Sequence, residues 1–321
     1  MRAVRISTPG GPEKLELVET VDPVPEAGEL VVNVEAAGVN FLDIYQRSGL
    51  YPIQLPSTLG MEGAGEVVAV GEGVSNRRVG DRVAWADCLG SYAERACMPA
   101  SRTVPIPKSL KTRDAAAVML QGITAHYLVT STVRIDDSHT VLVYAPTGGV
   151  GHILVQLAKL RGARVLACTS AEKVERARAL GVDAVIPYRE VDVPMAVRDL
   201  TDGEGVDVVF DSVGRDTFHD SLCSLSLRGL FVSFGQSSGP VDAFDTEELE
   251  THGSLTITRP MLSDYLADAD ELSWRAEAIL GLVVNGRLDV DVHQLYELEQ
   301  AAQAHTDLES GLTTGKLLLV P

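Results

Sequence analysis

The residues best equipped for chemistry in this chain form a glycine-rich turn, Pro146-Thr147-Gly148-Gly149-Val150-Gly151. An apolar, β-branched stretch precedes it at 140–145. A stretch at 152–161 follows, with Ile153, Leu154, Leu157 and Leu160 at helical spacing. A strand, a glycine turn and a helix in that order aim backbone N–H groups and the positive helix end at a pyrophosphate. Gly148 allows the backbone to approach the phosphate, and Gly151 allows helix and strand to pack closely. Pro146 stands where the usual fingerprint has its first glycine. Thr147, Gly148, Gly149, Val150 and Gly151 are therefore expected to contact a dinucleotide; the competing reading is a tight turn without a ligand.

A second set of residues speaks to which dinucleotide. NAD sites carry an acid about 20 residues downstream, at the end of the second strand, for the ribose 2′-hydroxyl. Here the strand-like 164–168 runs into Thr169-Ser170-Ala171 with no acid, and Lys173, Tyr188 and Arg189 follow. Hydroxyls with a cation suit a 2′-phosphate, so NADPH is the expected cofactor. Glu172 is expected to face solvent, and the plain alternative for Lys173 is an ordinary exposed helix lysine.

These residues need a scaffold, and the chain supplies an alternating one. Beyond the glycine turn, helical 171–180 ends before Gly181, placed as a C-cap. Short apolar runs at 184–186, 206–211 and 230–234, with 254–258 as a sixth strand, imply βαβ units and a parallel sheet covered on both faces. The first ~110 residues read differently: short β-branched runs at 30–36, 65–70 and 81–85 are punctuated by Gly and Pro as in a barrel or sandwich. After about 260, a helix at 272–284 and a β-like tail ending LLLVP should return to the first domain. The expected fold is α/β: a Rossmann doubly wound parallel sheet at 120–261, inserted into a mostly β catalytic domain made of 1–119 and 262–321.

Composition sets limits on function. A formal net charge of −18 opposes nucleic-acid binding, which depends on neutralising phosphates. No apolar run reaches the ~18 residues of a membrane span, and the N-terminus lacks the apolar core of a signal peptide. Cys88, Cys97, Cys168 and Cys223 form no CxxC pair, as in a reducing compartment, so a cytoplasmic location is expected. The seven histidines show no ligand spacing.

Taken in order, several segments resemble the zinc-independent, zeta-crystallin-like quinone oxidoreductases of the medium-chain dehydrogenase/reductase superfamily. They are Ala37-Gly38-Val39-Asn40-Phe41-Leu42-Asp43, Arg47-Ser48-Gly49-Leu50-Tyr51, the glycine turn, Tyr188-Arg189-Glu190, Asp211-Ser212-Val213-Gly214-Arg215-Asp216-Thr217, Val232 to Gly239, Leu308-Glu309-Ser310 and Gly315-Lys316. The resemblance spans essentially the whole chain. It implies a GroES-like catalytic domain around the Rossmann domain and a homodimer. It also implies Asn40 and Tyr45 beside the nicotinamide, Thr124, Ser212, Phe234, Gly235 and Gln236 along the cofactor, and Ser170, Lys173 and Tyr188 at the 2′-phosphate. The chain departs from the pattern at Gly311, where such enzymes often have an arginine, and in a shorter loop after the second strand; both bear on NADPH preference.

The positions matching the catalytic zinc ligands of metal-dependent relatives hold Asn40, Met61 and Gln121, which are poor Zn²⁺ ligands, and no four-cysteine lobe is present. No metal is therefore expected. Without a Lewis acid the acceptor must itself be electrophilic, as quinones and enones are. Tyr45 and Asn40 are the candidate donors to the developing oxyanion. For Tyr45 the sequence leaves two roles open, proton donation or an aromatic wall; for Asn40 the alternative is holding the ribose or nicotinamide amide. Arg215 and Arg259 either steer an acidic substrate group or form surface salt bridges. The expected activity is NADPH-dependent reduction of a small quinone. The alternatives are a 2-alkenal/enone reductase and a low-turnover NADPH-binding structural protein.

Overall fold

The computed structural model describes residues 1–321. The chain divides into two compact units, Met1–Ile123 with Tyr265–Pro321, and Thr124–Asp264.

The first unit begins with β1 (Arg2–Ile6), β2 (Glu16–Glu19), β3 (Glu29–Val39), α1 (Phe41–Ser48), β4 (Ser57–Thr58), β5 (Glu62–Val70), β6 (Arg82–Ala86), β7 (Arg95–Pro99), β8 (Thr103–Pro105) and the start of α2 (Thr112–Tyr127). The second unit contains β9 (Thr140–Tyr144), α3 (Gly149–Leu160), β10 (Arg164–Thr169), α4 (Val174–Ala179), β11 (Ala184–Pro187), α5 (Val193–Leu200), β12 (Val206–Asp211), α6 (Phe218–Ser224), β13 (Leu225–Ser233), α7 (Glu247–Thr251) and β14 (Thr256–Thr258). The first unit resumes with α8 (Ala269–Val284), β15 (Val292–Glu297), α9 (Ala301–Glu309) and β16 (Lys316–Val320).

In the first unit the main sheet runs β15-β16-β3-β5-β6-β8, with β7 also on β3, and a small sheet runs β2-β1-β4. The long β3 shows why the sequence settles this way. It exposes Asn33 and Glu35 and buries Val32 and Val34, the alternation of a half-solvated sheet. From Ala36 onward it is buried on both faces. The returning tail is β16, antiparallel to β3 with Leu317 opposite Val39 and Leu319 opposite Ala37. Val32, Leu59, Val67, Trp85, Tyr92, Leu317 and Leu319 form the core beneath.

In the second unit all strand pairings are parallel, in the order β11-β10-β9-β12-β13-β14. Numbered within the unit this is 3-2-1-4-5-6, the doubly wound order, whose direction reverses between β9 and β12. Leu142, Tyr144, Leu166, Val209 and Phe231 fill the space under the helices.

Two expected helices differ in detail. Residues 171–180 form a 3₁₀ turn, Ala171–Lys173, before α4, because helix starts often tighten to i→i+3 bonding. Gly181 closes α4 with φ 74°, a left-handed value that glycine adopts at least cost. The helix expected from 272 starts at Ala269, capped by the Asp268 carboxylate, which accepts from the Asp270 N–H at 2.9 Å. No helix is long and apolar enough to cross a membrane.

Candidate functional site

The strand ends of the second unit gather nearly all of the residues expected to hold a dinucleotide. β9 ends at Tyr144 and leads through Ala145 (φ 50°) into Thr147 and Gly148, the latter the residue capping α3. The first i→i−4 bond of α3 runs from His152 N–H to Gly148 O, 2.8 Å. The N–H groups of Gly149, Val150 and Gly151 therefore precede the helical ladder and sit at its positive end. Gly151 permits the tight crossing of strand and helix: a Cβ there would stand 2.1 Å from the Ala145 carbonyl oxygen. This cradle suits an anionic pyrophosphate.

Neighbouring strands add the other candidates. Ser170 follows β10, Tyr188 follows β11, Ser212 follows β12, and Phe234 and Gly235 follow β13. Backbone bonds lock these ends: Tyr188 N–H to Thr169 O at 3.1 Å, Phe234 N–H to Asp211 O at 2.8 Å and Ser237 N–H to Ser212 O at 3.1 Å. The buried Asp211 organises the loop beyond β12. Its carboxylate accepts from Val213 N–H (2.6 Å), Gly214 N–H (3.1 Å), Thr217 Oγ1 (2.6 Å) and Ser221 Oγ (2.8 Å). Burial still leaves its pKa raised, with those four bonds opposing.

The 2′-phosphate candidates are half-buried. Burial lowers the Lys173 pKa, Glu172 opposes, and Arg176 lowers it further. Glu172 is exposed, as expected. Its own backbone N–H and then the Ser170 hydroxyl hold its carboxylate below the usual range, with Arg189 and Lys173 adding to the effect. Arg189 lies over the Tyr188 ring at 5.5 Å. Two cations, Arg189 and Lys173, thus act on one exposed carboxylate, a balance suited to a phosphate. Gln236 is buried, and its Oε1 accepts from Arg259 at 2.7 Å; Arg259 also donates to Ser233 Oγ at 3.0 Å. Arg259 thereby braces the loop after β13. Thr124, at the start of this unit, is buried.

The first unit holds a buried polar cluster, in which Asp43 Oδ1 and Gln121 Oε1 are left without a partner. Asn40 caps α1, and its N–H donates to Asp43 Oδ2 at 2.8 Å. Its side-chain Nδ2 donates to Glu62 Oε1 (3.0 Å) and Gly38 O (3.3 Å), while its Oδ1 accepts from Lys316 Nζ (2.8 Å) and Gln121 Nε2 (2.5 Å). An amide offers two donors and two lone pairs, so the Asn40 side chain is saturated. The Lys316 ammonium also pairs with Glu62, whose other oxygen accepts from Leu120 N–H at 2.8 Å. Glu62 and Lys316 are 0% and 3% exposed, so each charge depends on the other. Burial lowers the Lys316 pKa, and Glu62 and Asp43 oppose. Gly38 makes the space: a Cβ there would meet Glu62 Oε1 at 2.0 Å.

From this cluster a directional chain of hydrogen bonds runs outward. Arg47, bidentate to Glu309 (3.0 and 2.7 Å), also donates to His305 Nδ1 at 3.2 Å. His305 must then carry its proton on Nε2, which donates to Tyr92 OH (3.1 Å), and Tyr92 donates to Asp43 Oδ2 (2.9 Å). Burial, with Arg47 nearby, pushes His305 down to about 3, so it is neutral. Burial pushes Asp43 up to about 7 despite Tyr92 and the Asn40 N–H. Tyr45, one turn into α1, is half-buried in an aromatic group with Tyr51 (centroids 5.2 Å apart) and Phe41 (6.1 Å).

Similarity to known proteins is consistent along the chain. The family model for the alcohol dehydrogenase GroES-like domain matches residues 26–108, and that for zinc-binding dehydrogenases matches 149–273. The chain is 41% identical over 323 residues to a quinone oxidoreductase of Pseudomonas aeruginosa, covering 100% of this chain and 99% of the relative. It is 37% identical over 330 residues to a 2-haloacrylate reductase of a Burkholderia species, covering 99% and 98%. The crystal structure of Escherichia coli quinone oxidoreductase complexed with NADPH superposes with a TM-score of 0.98 at 41% identity, covering 100% of both chains. The chain belongs to the quinone oxidoreductase family of the medium-chain dehydrogenases/reductases.

The zinc in the name of one matched family model finds no fitting donor set around Asn40. Asn40 and Gln121 are bonded to each other through neutral amides, the buried Met61 offers only a thioether, and an ammonium lies among them. Lys316 stood in one of the segments that carry the resemblance, but sequence reasoning assigned it no role. Its signal was a lone lysine between Gly315 and the apolar LLLV, where strand alternation would bury it. His219 and Cys223 are four apart on α6, and the fold brings His252 to them.

Proposed function

We propose that this protein is an NADPH-dependent quinone oxidoreductase that needs no metal for turnover. The observation that carries the reading is its full-length likeness to quinone oxidoreductases, two-unit architecture included. NADPH, when bound, supplies the hydride. The second unit, Thr124–Asp264, holds the pyrophosphate on Thr147 to Gly151 and the 2′-phosphate on Ser170, Lys173 and Tyr188. Thr124, Ser212, Phe234, Gly235 and Gln236 line the remainder, and Arg259 positions Gln236.

Tyr45 is the donor we assign to the oxyanion that develops on the acceptor. Asn40 acts as a positioning residue, because its amide has no hydrogen-bonding capacity left. With an ammonium–carboxylate pair beside it in place of a Lewis acid, the acceptor must carry its own electron-withdrawing carbonyl, as a small quinone does. A second reading, reduction of an activated carbon–carbon double bond, is favoured by the likeness to 2-haloacrylate reductase. The protein works as a homodimer, the short edge strand β14 offering one pairing edge. It works in the cytoplasm, where its four unpaired thiols stay reduced.

The test follows near-ultraviolet loss of NADPH and NADH against simple quinones and enones in chelator-containing buffer. NADPH-preferring oxidation by a quinone that survives chelation is expected; a better enone substrate would select the second reading. A folded, NADPH-binding protein that oxidises neither cofactor with any acceptor would overturn both.

A further inference from the structure

Three side chains with the chemistry of soft-metal ligands converge on the second unit, none of them among the proposed cofactor residues. His219 and Cys223 stand four residues apart on α6, so they share one face of the helix. His252, the residue that follows α7, completes the group: the candidate ligand atoms of all three lie within 4.8 Å of one another.

The spacing within the group has a quantitative meaning. His219 Nε2 and Cys223 Sγ are 3.6 Å apart. Two ligands on one tetrahedral zinc, at about 2.05 Å for nitrogen and about 2.3 Å for sulfur, stand roughly 3.6 Å from each other. The pair is therefore already at the separation a shared zinc imposes. His252 is oriented from behind. Its Nδ1 lies 2.7 Å from the Glu248 carbonyl oxygen, which can only accept, so Nδ1 carries the proton and Nε2 carries the lone pair. A backbone carbonyl on the remote ring nitrogen is the arrangement that fixes a metal-binding histidine. The His219 and His252 rings meet edge to face at 5.8 Å between centroids.

The surroundings favour a cation. Asp220, Asp192 and Glu248 act electrostatically on Cys223, and Arg198 opposes them. Three carboxylates and one guanidinium give this corner a negative potential, and a bound dication would answer it.

We propose that His219, Cys223 and His252 form a binding site for a single borderline-soft divalent cation, zinc above all, with water as the fourth ligand. On binding, the thiol proton leaves to solvent and the thiolate takes its place on the metal. The metal ties α6 to the end of α7. Because α6 also supplies Ser221, which holds Asp211, the clamp sits behind the loop that carries Ser212. It is a structural clamp, separate from turnover.

Cobalt(II) is the probe of choice, added to reduced, chelator-treated full-length protein. Expected are one equivalent bound, a thiolate-to-cobalt charge-transfer band, tetrahedral d–d intensity, and displacement of all three by zinc. In Cys223→Ser the charge-transfer band disappears. In His252→Gln affinity falls by more than the ~10–100-fold that loss of an outer partner costs. Zinc raises the thermal midpoint of the parent protein and of neither variant, since a ligand stabilises only the state that binds it. Circular dichroism confirms that both variants fold, and NADPH oxidation is unchanged by metal removal. Cobalt that binds without a thiolate band, binds equally well to both variants, or fails to bind at millimolar concentration would overturn the proposal.

Discussion

The two units use their polar groups in opposite ways. Around Asn40 most groups are closed on one another: amide on amide, ammonium on carboxylate, and a neutral histidine passing its hydrogen bond through Tyr92 to Asp43. At the strand ends of the second unit, the N–H groups of Gly149 to Gly151 lie ahead of the helical ladder, and Lys173 and Arg189 both act on the one exposed acid, Glu172. Apart from the buried Asp43 Oδ1 and Gln121 Oε1, which have no hydrogen-bond partner, the first region has nothing to offer a ligand without breaking a bond it already makes. The second is built to be completed by one. Substitutions in the first should therefore act through stability, and those in the second through affinity.

The sharpest challenge to that contrast is Lys316→Met. Removing one partner from a buried ion pair leaves Glu62 uncompensated and should lower stability by ~3–5 kcal/mol in urea unfolding. Adding Glu62→Gln to the same chain should recover much of the loss. A single variant as stable as the parent would break the comparison. Next in size is Tyr45→Phe, which keeps the ring packed against Tyr51 and removes only the hydroxyl. A fall in kcat of about 10²-fold, with the NADPH dissociation constant unchanged, is expected of a proton donor. An unchanged kcat would leave Tyr45 as an aromatic wall.

Lys173→Ala should weaken NADPH binding about ten-fold, the scale of one charge-assisted hydrogen bond, and leave NADH binding alone. Fluorescence titration of the two cofactors in parallel reads the difference.

The smallest effect is a pH dependence. Asp43 has a folded pKa of about 7 against an ordinary 3.8, so its contribution to stability is full below about 4 and is lost as pH rises towards 7. His305, lowered to about 3 from 6.5, runs the other way, losing its contribution as pH falls from 6.5. The two largely offset each other in the parent protein. Asp43→Asn removes one side, so the variant should be more destabilised at pH 5 than at pH 8, by comparison of urea midpoints. Equal destabilisation at both values would count against a raised Asp43.

Legibility in the sequence followed distance along the chain. The glycine turn, the missing acid after β10 and the alternating strands of the second unit are local patterns, set within a few residues by backbone sterics and apolar periodicity. Boundaries slipped where local rules compete, as at the 3₁₀ turn of Ala171–Lys173. The polar cluster of the first unit is assembled from Gly38, Asn40, Glu62, Gln121 and Lys316, and no periodicity connects them. Asn40 was visible as a candidate, but its saturation was not, because that depends on Lys316 arriving on β16. His252 was invisible as a partner of Cys223 for the same reason.

The placement of β16 has a consequence for how the protein is made. Lys316 leaves the ribosome 254 residues after Glu62. While the second unit, contiguous from Thr124 to Asp264, can close as it emerges, the 37–39 end of β3 must wait for its partner strand and Glu62 for its countercharge. The nascent chain thus carries an unsealed sheet edge through most of its synthesis. A message that stalls or is cut short before β16 would release a chain with that edge exposed, which cellular quality control is equipped to detect.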